Sequence, residues 1–103
     1  MTDKTTNKEL IKLADEILAI ESHAINALRD RLDKNFIEAC NLCLNTLGRV
    51  VVCGIGKSGH VGGKIAATLS STGTPSFFMH PAEASHGDLG MITDQDLLLA
   101  ISY

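Results

Sequence analysis

Residues 50–62, "VVVCGIGKSGHVG", join a continuous β-branched run to a glycine-rich turn and then to a lysine, a serine and a histidine. Val50 to Cys53 has the length and composition of a strand buried on both faces. Gly54, Gly56 and Gly59 satisfy G-x-G-x-x-G, while Gly56-Lys57-Ser58 reads like the end of a nucleotide-triphosphate loop. The triphosphate reading fails on spacing, because the position that needs its first glycine is Val51, inside the strand. A dinucleotide fingerprint needs an acidic residue after the next strand to hold a ribose. That place holds "FFMHPA", and the first acid is Glu83, beyond Pro81. What remains is a glycine loop with a cation and a hydroxyl, Lys57 and Ser58, opening a helix. Such a loop suits a small phosphorylated ligand, although glycines there also let helix and strand approach.

Outward from this loop the pattern is α/β. Val61, Ile65, Ala66 and Leu69 form one helix face, which stops at Gly73 with Pro75 just beyond. Ser76 to Met79 reads as a second strand and Leu97 to Ser102 as a third. Strand, helix, strand in this order predicts a parallel sheet with a right-handed crossover. Upstream, Leu10, Ala14, Ile17, Ala24, Leu28 and Leu32 mark one long amphipathic helix from about Lys8 to Leu32. Asn35 followed by Glu38 resembles a capping box for a second helix that ends at Gly48. Cys40 and Cys43 would share one face of that helix as a buried structural pair rather than a redox or zinc site.

The chain has 103 residues, 45% of them hydrophobic, and a formal net charge of −3. One small domain is expected, with no basic surface calling for nucleic acid or an anionic membrane. The start has no apolar leader, and the longest strongly apolar run, Leu97 to Ile101, is too short to cross a bilayer, so a cytoplasmic protein with reduced thiols is expected. His80 follows the second strand and His86 lies in "SHGDLG"; both are expected near the carboxyl ends of the strands, facing the Lys57 loop, where open α/β sheets hold ligands. Together with Glu83 and Asp88 they could also chelate a metal.

The blocks "GKSGHVG", "STGTPSFF" and "HGDLGM" carry a resemblance. From about Arg49 to Ser102 the chain resembles the sugar isomerase (SIS) domain of bacterial D-arabinose 5-phosphate isomerases. The resemblance implies a three-layer α/β sandwich with a parallel sheet, entered at residue 49 after a helical lead-in over residues 1–48 and stopping after about three strands. It implies interconversion of D-arabinose 5-phosphate and D-ribulose 5-phosphate, supplying 3-deoxy-D-manno-octulosonate (Kdo), in a homo-oligomer resembling a tetramer. By the same resemblance Lys57 is catalytic, Gly73, Thr74, His80 and His86 contact substrate, and His80 also takes an inhibitory zinc, with no cofactor required. Ser58 is a candidate phosphate or sugar contact. The family's other catalytic groups have no counterpart here, so an amino-terminal fragment, inactive alone, is expected. The rival readings are a SIS isomerase acting on another phosphosugar and a non-catalytic phosphosugar sensor; the latter should carry a basic recognition helix, which the acidic first helix does not supply.

Overall fold

A computed structural model describes residues 6–102, so expectations attached to the first five residues and to Tyr103 lie outside the described residues. The chain forms two compact units, residues 1–37 and 38–103.

The first unit is led by α1, Asn7–Ala27. Thr6 caps it in a reciprocal box: the Thr6 hydroxyl accepts from the Glu9 N–H, and the Glu9 carboxylate accepts from the Thr6 N–H, both at 3.1 Å. The expected single helix to Leu32 is shorter than its apolar stripe. Leu28–Arg31 tightens into a 3-10 turn and Leu32 is extended, because the next helix needs a non-helical cap at Asp33. That cap replaces the Asn35–Glu38 box: Asp33 Oδ1 accepts from the Asn35 N–H at 2.9 Å, making Asn35 a donor instead of the cap. The second helix, α2, is Lys34–Leu44 and stops four residues before Gly48. Cys43 is exposed and Cys40 half-buried, both free, which corrects the buried pair.

In the second unit three parallel strands lie in the order β2-β1-β3: β1 is Val50–Cys53, β2 Ser76–Met79 and β3 Leu97–Ala100. Val50 pairs with Ser76 on one side and Leu97 on the other. The central place of β1 explains its run of valines, since a strand paired on both edges and covered on both faces meets no water. Val50, Val51 and Val52 are at most 1% exposed. The helix α3, Lys57–Ser71, packs on β1 and β2, with Ala66 beside Val50 and Val52 in the core. The expected α/β class with a parallel sheet is therefore the observed one. Leu98 on β3 is 52% exposed, unlike its register partner Val51.

The start of β3 is tied to the start of β1 by one carboxylate. Asp96, with only 2% of its side chain exposed, accepts from the Arg49 N–H at 2.7 Å through Oδ1 and from the Thr93 N–H at 2.8 Å through Oδ2. The Arg49 guanidinium lies 3.5 Å from Oδ2 and 4.7 Å over the Phe77 ring. The Arg49 N–H, then the Thr93 N–H and the guanidinium charge, hold the Asp96 carboxyl below the usual carboxylate range. A lowered folded-state value means that this stabilisation is complete above the unfolded value near ~4 and is lost as pH falls through the folded one. Thermal melting followed between roughly pH 5 and pH 2 should therefore drop more steeply for the wild type than for Asp96→Asn. Parallel curves for the two proteins would show that Asp96 does not govern the acid limb.

Candidate functional site

Lys57, Ser58 and His80, singled out in the sequence, lie at the carboxyl edge of the sheet. β1 runs into the turn at residues 54–56, and Gly56 adopts φ 63° as the cap of α3, a backbone conformation that favours glycine. Lys57 is the first residue of α3. It is exposed, and among the described residues it has no ion-pair partner. The α3 N-terminus adds unpaired N–H groups and a partial positive charge to this edge. β2 delivers His80, which caps the short helix α4, Pro81–Ala84, by accepting the Ala82 N–H on Nδ1 at 3.1 Å.

Two pockets flank the turn between β1 and α3. The one on the β2 side, about 420 Å³, is lined by Gly56, Gly59, His60, Gly63, Phe78 and His80. The one on the β3 side, about 310 Å³, is lined by Gly54, Ser58, Pro81 and Ser102 among others. Both lie within the size range of small-molecule sites, about 300–1,000 Å³. Lys57 stands in the chain between Gly56 of the first pocket and Ser58 of the second.

Not every expected site residue arrives here. His86 lies in the turn after α4, its N–H bonded to the Glu83 carbonyl at 3.0 Å, and lines neither pocket. Gly73 and Thr74 sit at the opposite end of β2, where the Thr74 N–H donates to the Leu69 carbonyl. The four residues of β2, roughly 13 Å of strand, separate them from His80. His60 is the residue that sequence reasoning passed over. Its only available signal was its place three residues after Lys57, one turn along the same helix face.

The same residues make a poor resident zinc site. Among the described residues no three His, Cys, Asp or Glu side chains gather as a metal site, whereas a protein zinc site uses three or four ligands. With Nδ1 accepting from Ala82, the neutral His80 ring carries its hydrogen on Nε2, so ligation there would cost the cap its hydrogen bond. The described residues do not fit a resident zinc cofactor.

Residues 44–103 match the SIS domain family. The chain belongs to it. Among SIS proteins, the chain is 58% identical over 96 residues to the Pseudomonas aeruginosa protein named arabinose 5-phosphate isomerase KdsD, covering 93% of this chain and 29% of that protein. It is 54% identical over 97 residues to Escherichia coli K12 arabinose 5-phosphate isomerase GutQ, covering 94% of this chain and 30% of that one. The chain thus spans about three tenths of the length of these curated relatives. A solved SIS-fold structure, c3406 of E. coli CFT073 in complex with arabinose 5-phosphate, superposes with a TM-score of 0.89 at 41% identity, over 95% of this chain and 52% of that chain.

Proposed function

We propose that this chain carries part of the phosphosugar site of an aldose–ketose isomerase that interconverts D-arabinose 5-phosphate and D-ribulose 5-phosphate. The observation that carries the reading is the convergence of Lys57, His80 and two small pockets on one sheet edge, in a fold whose solved relative binds arabinose 5-phosphate. In this reading residues 1–48 are a helical lead-in and residues 49–103 the amino-terminal portion of the SIS domain. The protein works in the cytoplasm and feeds Kdo synthesis. Among the described residues no helix is long and apolar enough to cross a membrane.

Isomerisation moves a proton between C2 and C1 while charge gathers on oxygen in an enediolate. The Lys57 ammonium supplies positive charge to that oxygen. The neutral His80 ring offers Nε2–H as a donor to the carbonyl oxygen, because Nδ1 is already engaged. Ser58, in the first turn of α3, lines the β3-side pocket, which takes the phosphate. Among the described residues no carboxylate lines either pocket, and the nitrogen bases that do are the imidazoles of His60 and His80. By the family resemblance Gly73, Thr74 and His86 are further substrate contacts, and the protein is a homo-tetramer.

The test is a coupled assay of the full-length protein against several pentose and hexose phosphates, with the 103-residue chain run in parallel. Turnover of D-arabinose 5-phosphate above the others by the full-length protein, and none by the chain, is expected. A preference for another phosphosugar would replace the substrate, and binding without turnover of any would make the protein a sensor. An inhibitory zinc would compete with the sugar for His80, so His80→Ala should lose both zinc sensitivity and sugar affinity in the same assay. Zinc inhibition undiminished in that variant would put the ion elsewhere.

A further inference from the structure

The β2-side pocket has two imidazoles on its walls, and only His80 has been given a task. His60 projects from the first turn of α3, held there by its N–H donating to the Gly56 carbonyl at 3.1 Å. Its side chain is exposed, and no hydrogen bond from a described residue engages its ring. The two rings are therefore chemically unequal. His80 can offer this pocket only the Nε2–H donor while its ring is neutral, whereas His60 keeps one nitrogen free to accept and one to donate.

The pocket itself is kept open by an unusual choice in a helix. Gly63 lines it, one turn after His60 on α3, and a Cβ built there meets nothing within 4 Å. Packing does not require that glycine, and a helix interior disfavours it relative to alanine. The space in front of it is available to a ligand.

We propose that His60 is a further substrate-contacting residue, which with His80 holds the C1–C2 end of the sugar phosphate in the β2-side pocket. The inference rests on the isomerase reading above. If the phosphate occupies the β3-side pocket beside Ser58, a pentose 5-phosphate crossing the α3 N-terminus carries its C1–C2 end to the β2 side, past Lys57. A carbonyl next to a hydroxyl needs one donor and one acceptor. His80 Nε2–H donates to the carbonyl oxygen, and His60 accepts from the C2 hydroxyl. An aldose and its ketose product exchange these two groups between adjacent carbons, and the two-sided His60 ring can serve either.

The experiment measures kcat/KM for D-arabinose 5-phosphate, inhibition by inorganic phosphate, and melting temperature for wild type, His60→Ala, His60→Gln and Gly63→Leu of the full-length protein. His60→Ala should lower kcat/KM at least about tenfold with melting and phosphate inhibition unchanged. His60→Gln, which keeps a donor and an acceptor, should recover part of the loss. Gly63→Leu, filling the pocket from its open side, should weaken turnover while raising the melting temperature. Wild-type kcat/KM in a folded His60→Ala would overturn the proposal, and if that variant failed to fold, unimpaired turnover by Gly63→Leu would do the same. A wild-type protein that isomerises no pentose phosphate would instead overturn the isomerase reading itself.

Discussion

Lys57→Ala is expected to lower kcat/KM for D-arabinose 5-phosphate by about a hundredfold or more while leaving the melting temperature where it was. The two halves of this expectation come from different parts of the structure. Lys57 is exposed, and the turn before it is shaped by Gly56, whose φ of 63° does not depend on the lysine side chain. Alanine is also the best helix former, so α3 should start as before. On the proposed isomerase reading, what disappears is an ammonium beside the oxygen that gathers charge, and losing one such preorganised group costs about 10²–10³ in rate. Lys57→Arg should recover little, since a planar fork does not replace a compact point charge at the same reach. Steady-state kinetics with a parallel melt decide the matter: near-wild-type turnover in the folded alanine variant would return Lys57 to an ordinary solvated surface residue.

Gly48→Ala should destabilise the fold by about 3 kcal/mol, at the upper end of the usual range for overpacking. A Cβ at this position would lie 2.3 Å from Asp96 Oδ1 and within 2.9 Å of the carbonyl carbon and oxygen of Gln95. The carboxylate cannot swing away without releasing the Arg49 and Thr93 N–H groups, and the Gln95 carbonyl already accepts from the Gly48 N–H at 2.9 Å. One methyl therefore separates the beginning of β1 from the beginning of β3. For a domain of this size the melting temperature should fall by roughly 12–24 °C. Gly63→Ala, where the added Cβ meets nothing, should instead stabilise by about 0.5–1 kcal/mol. Equal melting temperatures for Gly48→Ala and wild type would mean that the Gln95 turn yields without cost.

The elements most legible from sequence were those whose signal is local. Four consecutive β-branched or small apolar residues announced β1, "SFFM" announced β2, and the βαβ order alone set the strands parallel. Lys57 and His80 could be brought to one edge by the same rule, because each directly follows a strand or its turn. Asp96 could not be read, since its importance depends on a register that pairs Leu97 with Val50. His60 was hidden because a helix face acquires meaning only when the opposite wall is known, and that wall is Phe78 and His80. Asn35 misled because its neighbour Asp33 offers the same capping chemistry two residues earlier, and hydrophobic period alone did not foresee that Leu28 would fall in a 3-10 turn. Gly73 and Thr74 lie at the other end of β2 from His80, a separation that strand order alone already implies because they precede β2 and His80 follows it.

The central position of β1 also dictates an order of assembly. Its partners are not equally near along the chain: the contact from Val50 to Ser76 spans 26 residues, and the latch from Arg49 to Asp96 spans 47. Closing the longer loop costs only about 0.5 kcal/mol more in chain entropy. The shorter one, however, also recruits α3, which packs on both β1 and β2. The β1-α3-β2 unit should consequently form first, with the turn at residues 54–56 already bent into shape, and β3 should dock onto a finished template. On a ribosome this order follows the direction of synthesis, so the glycine turn is built before the chain that completes the edge around it has emerged. Pulse-labelled amide exchange during refolding should find the β1–β2 hydrogen bonds protected ahead of those that Leu97 and Ile101 donate to Arg49 and Cys53.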